Sequence, residues 1–125
     1  MKPFDIVSAK VYFEDSHCYK FRPVLCLDVN DNNVIARKMT SGDKRDNYPG
    51  EYELKDWEQE GLNKPTVVRM SKQIRIPKVN VNKIIGHLTP QDEIAVRELI
   101  DTPYKESFNE DDVIDSYVYE QFVNI

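Results

Sequence analysis

Apolar positions in this chain fall in short β-type runs broken by polar clusters, and the spacing becomes helical only after residue 88. Residues 4–13 are rich in β-branched and aromatic side chains and are expected to form the first strand. Glu14 to Lys20 is polar and reads as a loop. Residues 23–29 and 33–39 are separated by Asn30-Asp31-Asn32-Asn33, whose side chains favour turns, so an antiparallel hairpin is expected there. Ser41 to Gly50, with Gly42, Pro49 and Gly50 as breakers, reads as a long loop. Glu51–Leu54 is a short strand, and Lys55–Leu62 a turn or single helical turn around Trp57. Pro65–Met70 and Gln73–Ile76 form another strand stopped by Pro77, and Val81–Leu88 is the last.

The clearest helix follows. Thr89 is its N-cap and Pro90 its first residue, Asp92 and Glu93 complement the dipole, and Ala95, Val96, Leu99 and Ile100 form the apolar stripe, with Pro103 marking the end. Several short strands and one late helix predict a mainly β fold: a small, strongly bent barrel or half-barrel with the helix packed on it. Residues 1–105 are expected to be this domain and 106–125 a separate acidic extension. In that extension Ser107 and Glu110 have capping-box spacing, and Ile114, Tyr117, Val118, Gln121 and Phe122 share one helical face. Such a helix either docks on its own body, or covers a basic groove or binds a partner.

Composition matters chiefly through where the charge lies. The net charge is −5, but six of the 22 acidic residues lie in 106–125 with no base, leaving 16 acids against 17 bases elsewhere. A nearly neutral body can carry a basic face, so the low pI does not exclude a nucleic-acid partner. No apolar run approaches the roughly 20 residues that span a bilayer, and the first residues lack the apolar core of a signal peptide, so a cytoplasmic protein without membrane contact is expected. Cys18 sits in a polar loop and Cys26 in a strand expected to be buried. Two histidines 70 positions apart and two ungrouped cysteines give no metal-ligand set, and no glycine-rich phosphate loop is present, so neither metal nor cofactor is expected.

Candidate chemistry centres on Arg22, which opens one run, and Thr40, which closes the next. The hairpin should bring them to the same end, where a guanidinium and a hydroxyl can hold a phosphate whose charge grows in a transition state.

The ordered strings Phe4-Asp5-Ile6-Val7, Arg22-Pro23-Val24-Leu25, Thr40-Ser41, Trp57 with Gly61-Leu62, Lys64-Pro65, Val67-Val68-Arg69, and Ile85-Gly86 with Leu88-Thr89-Pro90 resemble the PemK/MazF-type toxins of type II toxin–antitoxin pairs. The resemblance covers roughly residues 3–100. It implies an SH3-like barrel with a C-terminal helix, a homodimer, metal-independent and sequence-selective cleavage of single-stranded RNA, growth inhibition, and a cognate antitoxin that blocks the RNA site. It also implies catalytic roles for Arg22 and Thr40. Some members add, after the Val-Val-Arg string, an Asp with an acid–base role; Arg69 matches here, but Ser71 stands where that Asp would be.

Cleavage without a metal uses the ribose 2′-OH as nucleophile and yields a 2′,3′-cyclic phosphate; it needs charge stabilisation, in-line geometry and two proton transfers. Arg22 and Thr40 are assigned the charge, and Glu14, Asp15 and His17 are the candidate proton carriers. Lys20, Lys38, Ser41, Lys44, Arg45, Tyr48 and Arg69 are the candidate RNA contacts, cations tracking the backbone and the ring stacking a base. His87 and Trp57 read as structural. The departure at Ser71 leaves an alternative: a catalytically weak module of the same fold that binds RNA or protein, restrained by its acidic tail.

Overall fold

The computed structural model describes residues 1–12, 18–42 and 50–100. They form β1 (Asp5–Tyr12), β2 (Tyr19–Val29), β3 (Asn33–Ser41), β4 (Glu51–Glu53), β5 (Thr66–Pro77), a 3-10 turn (Lys78–Asn80), β6 (Val81–His87) and the helix α1 (Pro90–Ile100). The strands make one antiparallel sheet in the order β4-β5-β3-β2-β1-β6. The mainly β fold with a late helix is therefore as expected. The sheet, however, is not a closed barrel, because β4 and β6 are its edges and no ladder joins them. The acidic extension and Pro103 lie outside the described residues.

Both faces of the sheet are apolar, which explains the near-continuous burial of β1. Along it, Ile6 enters a core with Phe4, Leu25, Met39, Val68, Met70, Leu88 and Val96, while Val7 and Ala9 enter a second core with Val24, Cys26, Val34, Ala36, Ile74 and Ile76. Val96 of α1 sits in the first core, with Trp57, Leu99 and Ile100 packed against it, as the helical stripe predicts. In β5, Val68 and Met70 belong to the first core but Ile74 and Ile76, of the same parity, belong to the second. The pairing explains the switch: Lys38 is opposite Arg69 and Arg37 is opposite Gln73, so β5 carries three extra residues there. An odd number of extra residues moves every later side chain to the other face. The two runs read from the sequence on either side of residue 71 are thus one strand bent across this irregularity.

The β2–β3 turn uses the expected Asx chemistry: Asn30 Oδ1 accepts the Asn32 and Asn33 N–H groups at 3.1 and 2.7 Å.

Instead of a ladder, the segment after β4 spans the gap between the two edges. A Cβ on Gly86 would lie 2.1 Å from the Glu60 carbonyl oxygen, and one on Gly61, where φ is +91°, would lie 2.6 Å from that of Ile85. Main chain therefore lies directly on main chain, which requires glycine at both positions.

Carboxylates hold this contact to α1. Glu60 Oε2 accepts the Thr89 N–H at 2.8 Å, and the Thr89 hydroxyl donates to Asp56 Oδ2 at 2.5 Å. Asp92 accepts the Lys55 and Asp56 N–H groups at 3.1 and 3.0 Å and the Tyr52 hydroxyl at 2.6 Å. The sequence pattern assigns Asp92 to the helix dipole; the structure makes it a fully buried tether to the β4–β5 segment.

Candidate nucleic-acid interface

Arg22 is the fourth residue of β2 and Thr40 the penultimate residue of β3, so both stand within strands rather than at run ends. Their alignment follows from the ladder. Val24 is opposite Lys38, and the same antiparallel register carried two residues on sets Arg22 opposite Thr40, on one face. Pro23 explains why the ladder stops short of them. The Cys26 carbonyl accepts the Phe4 N–H on the β1 side, so by alternation Pro23 turns its main chain toward β3, where it has no N–H to give. On the other side β2 stays paired to β1, with Ala9 opposite Arg22, and β3 stays paired to β5, with Thr40 opposite Val67. Two firmly held strands thus part locally at the two candidate catalytic residues.

A depression lies on each side of that point, and Arg22, Pro23, Met39 and Thr40 line both. The larger, about 490 Å³, is completed by Ser41, Phe21, Asn63, Lys64, Lys83 and Ile84 among others. The smaller, about 260 Å³, is completed by Tyr12, Lys38 and Arg69 among others. Among the described residues five cations thus line the pair and no carboxylate lines either, a field suited to a polyanion.

Of the residues singled out from sequence, Arg22, Thr40, Ser41, Lys38 and Arg69 are brought together here. Lys20 is exposed on β2 opposite Val11 and lines neither depression. Glu14, Asp15, His17, Lys44, Arg45 and Tyr48 lie outside the described residues. Arg69 is flanked across the sheet by Lys38 on β3 and Glu51 on β4. Ser71 lies in the irregular stretch of β5 and lines neither depression.

His87 has a structural setting: its Nδ1 is 2.8 Å from Asp5 Oδ1 and its Nε2 3.5 Å from Glu93 Oε1. Cys26 is fully buried, and burial, with Asp5 adding to it, pushes its thiol up to about 12, so it stays protonated. Sequence reasoning passed over Lys64 and Lys83 as site residues, since nothing in their local pattern separates them from solvent-facing lysines. It also passed over Phe21, although Tyr19 and Phe21, two apart on a strand, must share a face.

The architecture is an open, two-core β sheet with a basic cleft at a proline-parted strand pair. Residues 2–102 match the PemK-like, MazF-like toxins of type II toxin–antitoxin systems, and the chain belongs to that family. Among solved structures, it is similar to the Mycobacterium tuberculosis toxin MazF-mt6, with 27% identity and a TM-score of 0.58 over 77% of this chain and 91% of that one. It shares its fold with an endoribonuclease in complex with its cognate antitoxin from a mycobacterial species, at 13% identity and a TM-score of 0.62 over 84% and 99% of the two chains. It also shares it with another M. tuberculosis toxin, at 24% identity and a TM-score of 0.57 over 76% and 94%. No curated protein is similar enough in sequence to be matched. Among the described residues no helix is long and apolar enough to cross a membrane.

Proposed function

We propose that this toxin is a metal-independent endoribonuclease that cuts single-stranded RNA, mRNA included, at selected sequences. Family membership supports the reaction class. The observation that carries the residue assignment is the meeting of Arg22 and Thr40 between two depressions that, among the described residues, are lined by cations and no carboxylate.

The scissile phosphate sits on the shared ridge, with RNA extending into a depression on each side. The 2′-OH attacks the adjacent phosphorus in line, the 5′-oxygen of the next nucleotide leaves, and a 2′,3′-cyclic phosphate and a 5′-OH end result. Arg22 neutralises the charge that gathers on the non-bridging oxygens, and the Thr40 hydroxyl donates a hydrogen bond to one of them. Lys64 and Lys83 on one side, Lys38 and Arg69 on the other, hold the flanking phosphates. Proton transfer falls to Glu14 or His17 in the β1–β2 connection, because no carboxylate or histidine lines the described cleft. The working form is a cytoplasmic homodimer, restrained by a cognate antitoxin bound over the same basic surface.

The test is incubation of the purified chain with a long single-stranded RNA in the presence of a chelator, followed by mapping of the ends. Cuts at a recurring short sequence, ending in cyclic phosphate and abolished by Arg22→Ala, are expected. Cleavage that stops on chelation, or that Arg22→Ala leaves intact, would overturn the proposal. A second reading has one observation in its favour, the lack of a proton carrier among the described lining residues: a module that binds RNA and cuts it poorly. Tight binding of RNA without cut ends would select it.

A further inference from the structure

The β1–β2 hairpin carries an aromatic cluster that belongs to neither core. Tyr12 is opposite Tyr19 with ring centroids 5.6 Å apart, and Tyr19 meets Phe21 edge to face, also at 5.6 Å. Lys10, opposite Phe21, places its ammonium 4.6 Å from the Tyr19 ring centroid. Tyr19 is 44% and Phe21 50% exposed, so these contacts leave much of both rings facing solvent. An edge-to-face contact covers at most one face of each ring, so Phe21 retains an open face.

Position decides what that face suits. Phe21 precedes Arg22 and lines the larger depression beside Arg22, Thr40 and Lys83. Along β2 the order Tyr19-Lys20-Phe21-Arg22 alternates rings with cations, the two rings on one face and the two cations on the other. Rings interleaved with cations match a single strand, whose bases stack while its phosphates are neutralised. An apolar protein partner would not call for the cations.

We propose that Phe21, braced by Tyr19 and Lys10, is the stacking platform for the base next to the scissile linkage, and that it helps set which base is accepted there. This rests on the nuclease reading of the Arg22–Thr40 ridge. Stacking discriminates by ring area, so a purine is favoured over a pyrimidine at that position.

The test uses a 2′-O-methyl oligoribonucleotide, which cannot supply the nucleophile, with 2-aminopurine moved along it one position at a time. In the unaltered protein, quenching is expected at one position beside the cut site. Phe21→Ala should remove that quenching and weaken binding roughly 5- to 150-fold, the loss of one base–ring stack. Phe21→Trp should restore both. Phe21→Leu, which keeps apolar bulk without a ring, should restore neither. On cleavable RNA, Phe21→Ala should raise KM more than it lowers kcat. Unchanged quenching in Phe21→Ala, or full rescue by Phe21→Leu, overturns the platform. So does a change in sedimentation with binding intact, which would make Phe21 a contact between copies of the chain. The nuclease reading fails separately: RNA bound with Phe21-dependent quenching but never cut would end that reading and leave the platform standing. No binding at all would end both.

Discussion

Replacing Glu60 by glutamine should remove the loss of stability that this one carboxyl imposes between acid and neutral pH. Glu60 is fully buried where the β4–β5 segment meets α1. Its Oε2 receives the Thr89 N–H, whereas Oε1 is buried without a donor from any neighbour. Burial pushes the Glu60 carboxyl up to about 7 against the Thr89 bond, which lowers it, and Asp92 and Asp56 raise it further. Asp92 moves the other way. Burial raises it, but the bonds it accepts from the Tyr52 hydroxyl and the Asp56 and Lys55 N–H groups outweigh that and hold it below its ordinary value. The proton therefore resides on Glu60, where it converts the orphan oxygen into a donor toward Asp92.

Glu60 thus binds its proton more tightly in the folded chain than in the unfolded one, whose carboxyl titrates near 4.5. The stability this contributes is fully present below about pH 4.5 and is lost as pH rises through about 7. At about 1.4 kcal/mol per pH unit, the gap between 4.5 and about 7 amounts to about 3 kcal/mol. Glutamine copies the protonated acid at every pH, its oxygen facing the Thr89 N–H and its amide facing Asp92. Urea titrations of both chains from pH 5 to 9 give the comparison, since titrations elsewhere are common to both and drop out of the difference. Glu60→Gln should gain on the unaltered chain by about 2 to 3 kcal/mol between pH 5 and 8. Parallel pH profiles for the two chains would refute the reasoning.

Three further outcomes are expected. Thr40→Ala should lower single-turnover RNA cleavage about 100- to 1,000-fold with RNA binding nearly unchanged, the usual loss for one donor to a charged transition state; a change below about threefold counts against its role. Gly86→Ala puts a methyl 2.1 Å from the Glu60 carbonyl oxygen, main chain that cannot turn aside, and should cost at least about 3 kcal/mol in urea unfolding, beyond ordinary overpacking; an unchanged midpoint would show that the segment can lift off β6 freely. Residues 106–125 lie outside the described part, but they carry six acids and no base while the described cleft is lined by cations, so a chain ending at Lys105 should cleave RNA faster at equal salt; equal or slower cleavage removes any restraint by the tail.

The strands and the helix were legible because their signals are local. Asn30 makes the turn its side chain favours, and Thr89-Pro90 begins the helix where capping places it. The turn brought Arg22 and Thr40 to the same end, but its own register, Val29 opposite Val34, would set Arg22 against Ser41; an irregularity between Cys26 and Asp28, invisible in the sequence, moves the pairing by one and puts Arg22 opposite Thr40. What escaped depends on distant main chain. That β5 reverses its faces is set by three residues extra to the β3 register, and no periodicity within residues 66–77 announces it. Asp92 looked like a helix-dipole acid because its partners, Tyr52, Lys55 and Asp56, are 36 to 40 residues away. Arg22 and Thr40 seemed to stand at run ends because alternation fades where rings such as Tyr19 and Phe21 face solvent.

The contact of Gly61 and Gly86 with opposing carbonyls has a consequence for how such a toxin can change its target. The two walls of the larger depression, Gly61 to Lys64 and Lys83 to Ile85, are spaced by main chain resting on main chain at Gly61 and Gly86. Its aperture is therefore independent of what decorates it. On the proposed nuclease reading, Asn63, Lys64, Lys83 and Ile84 can be exchanged to admit a different nucleotide while the slot keeps its width, so new selectivity can be reached one residue at a time on an unaltered frame.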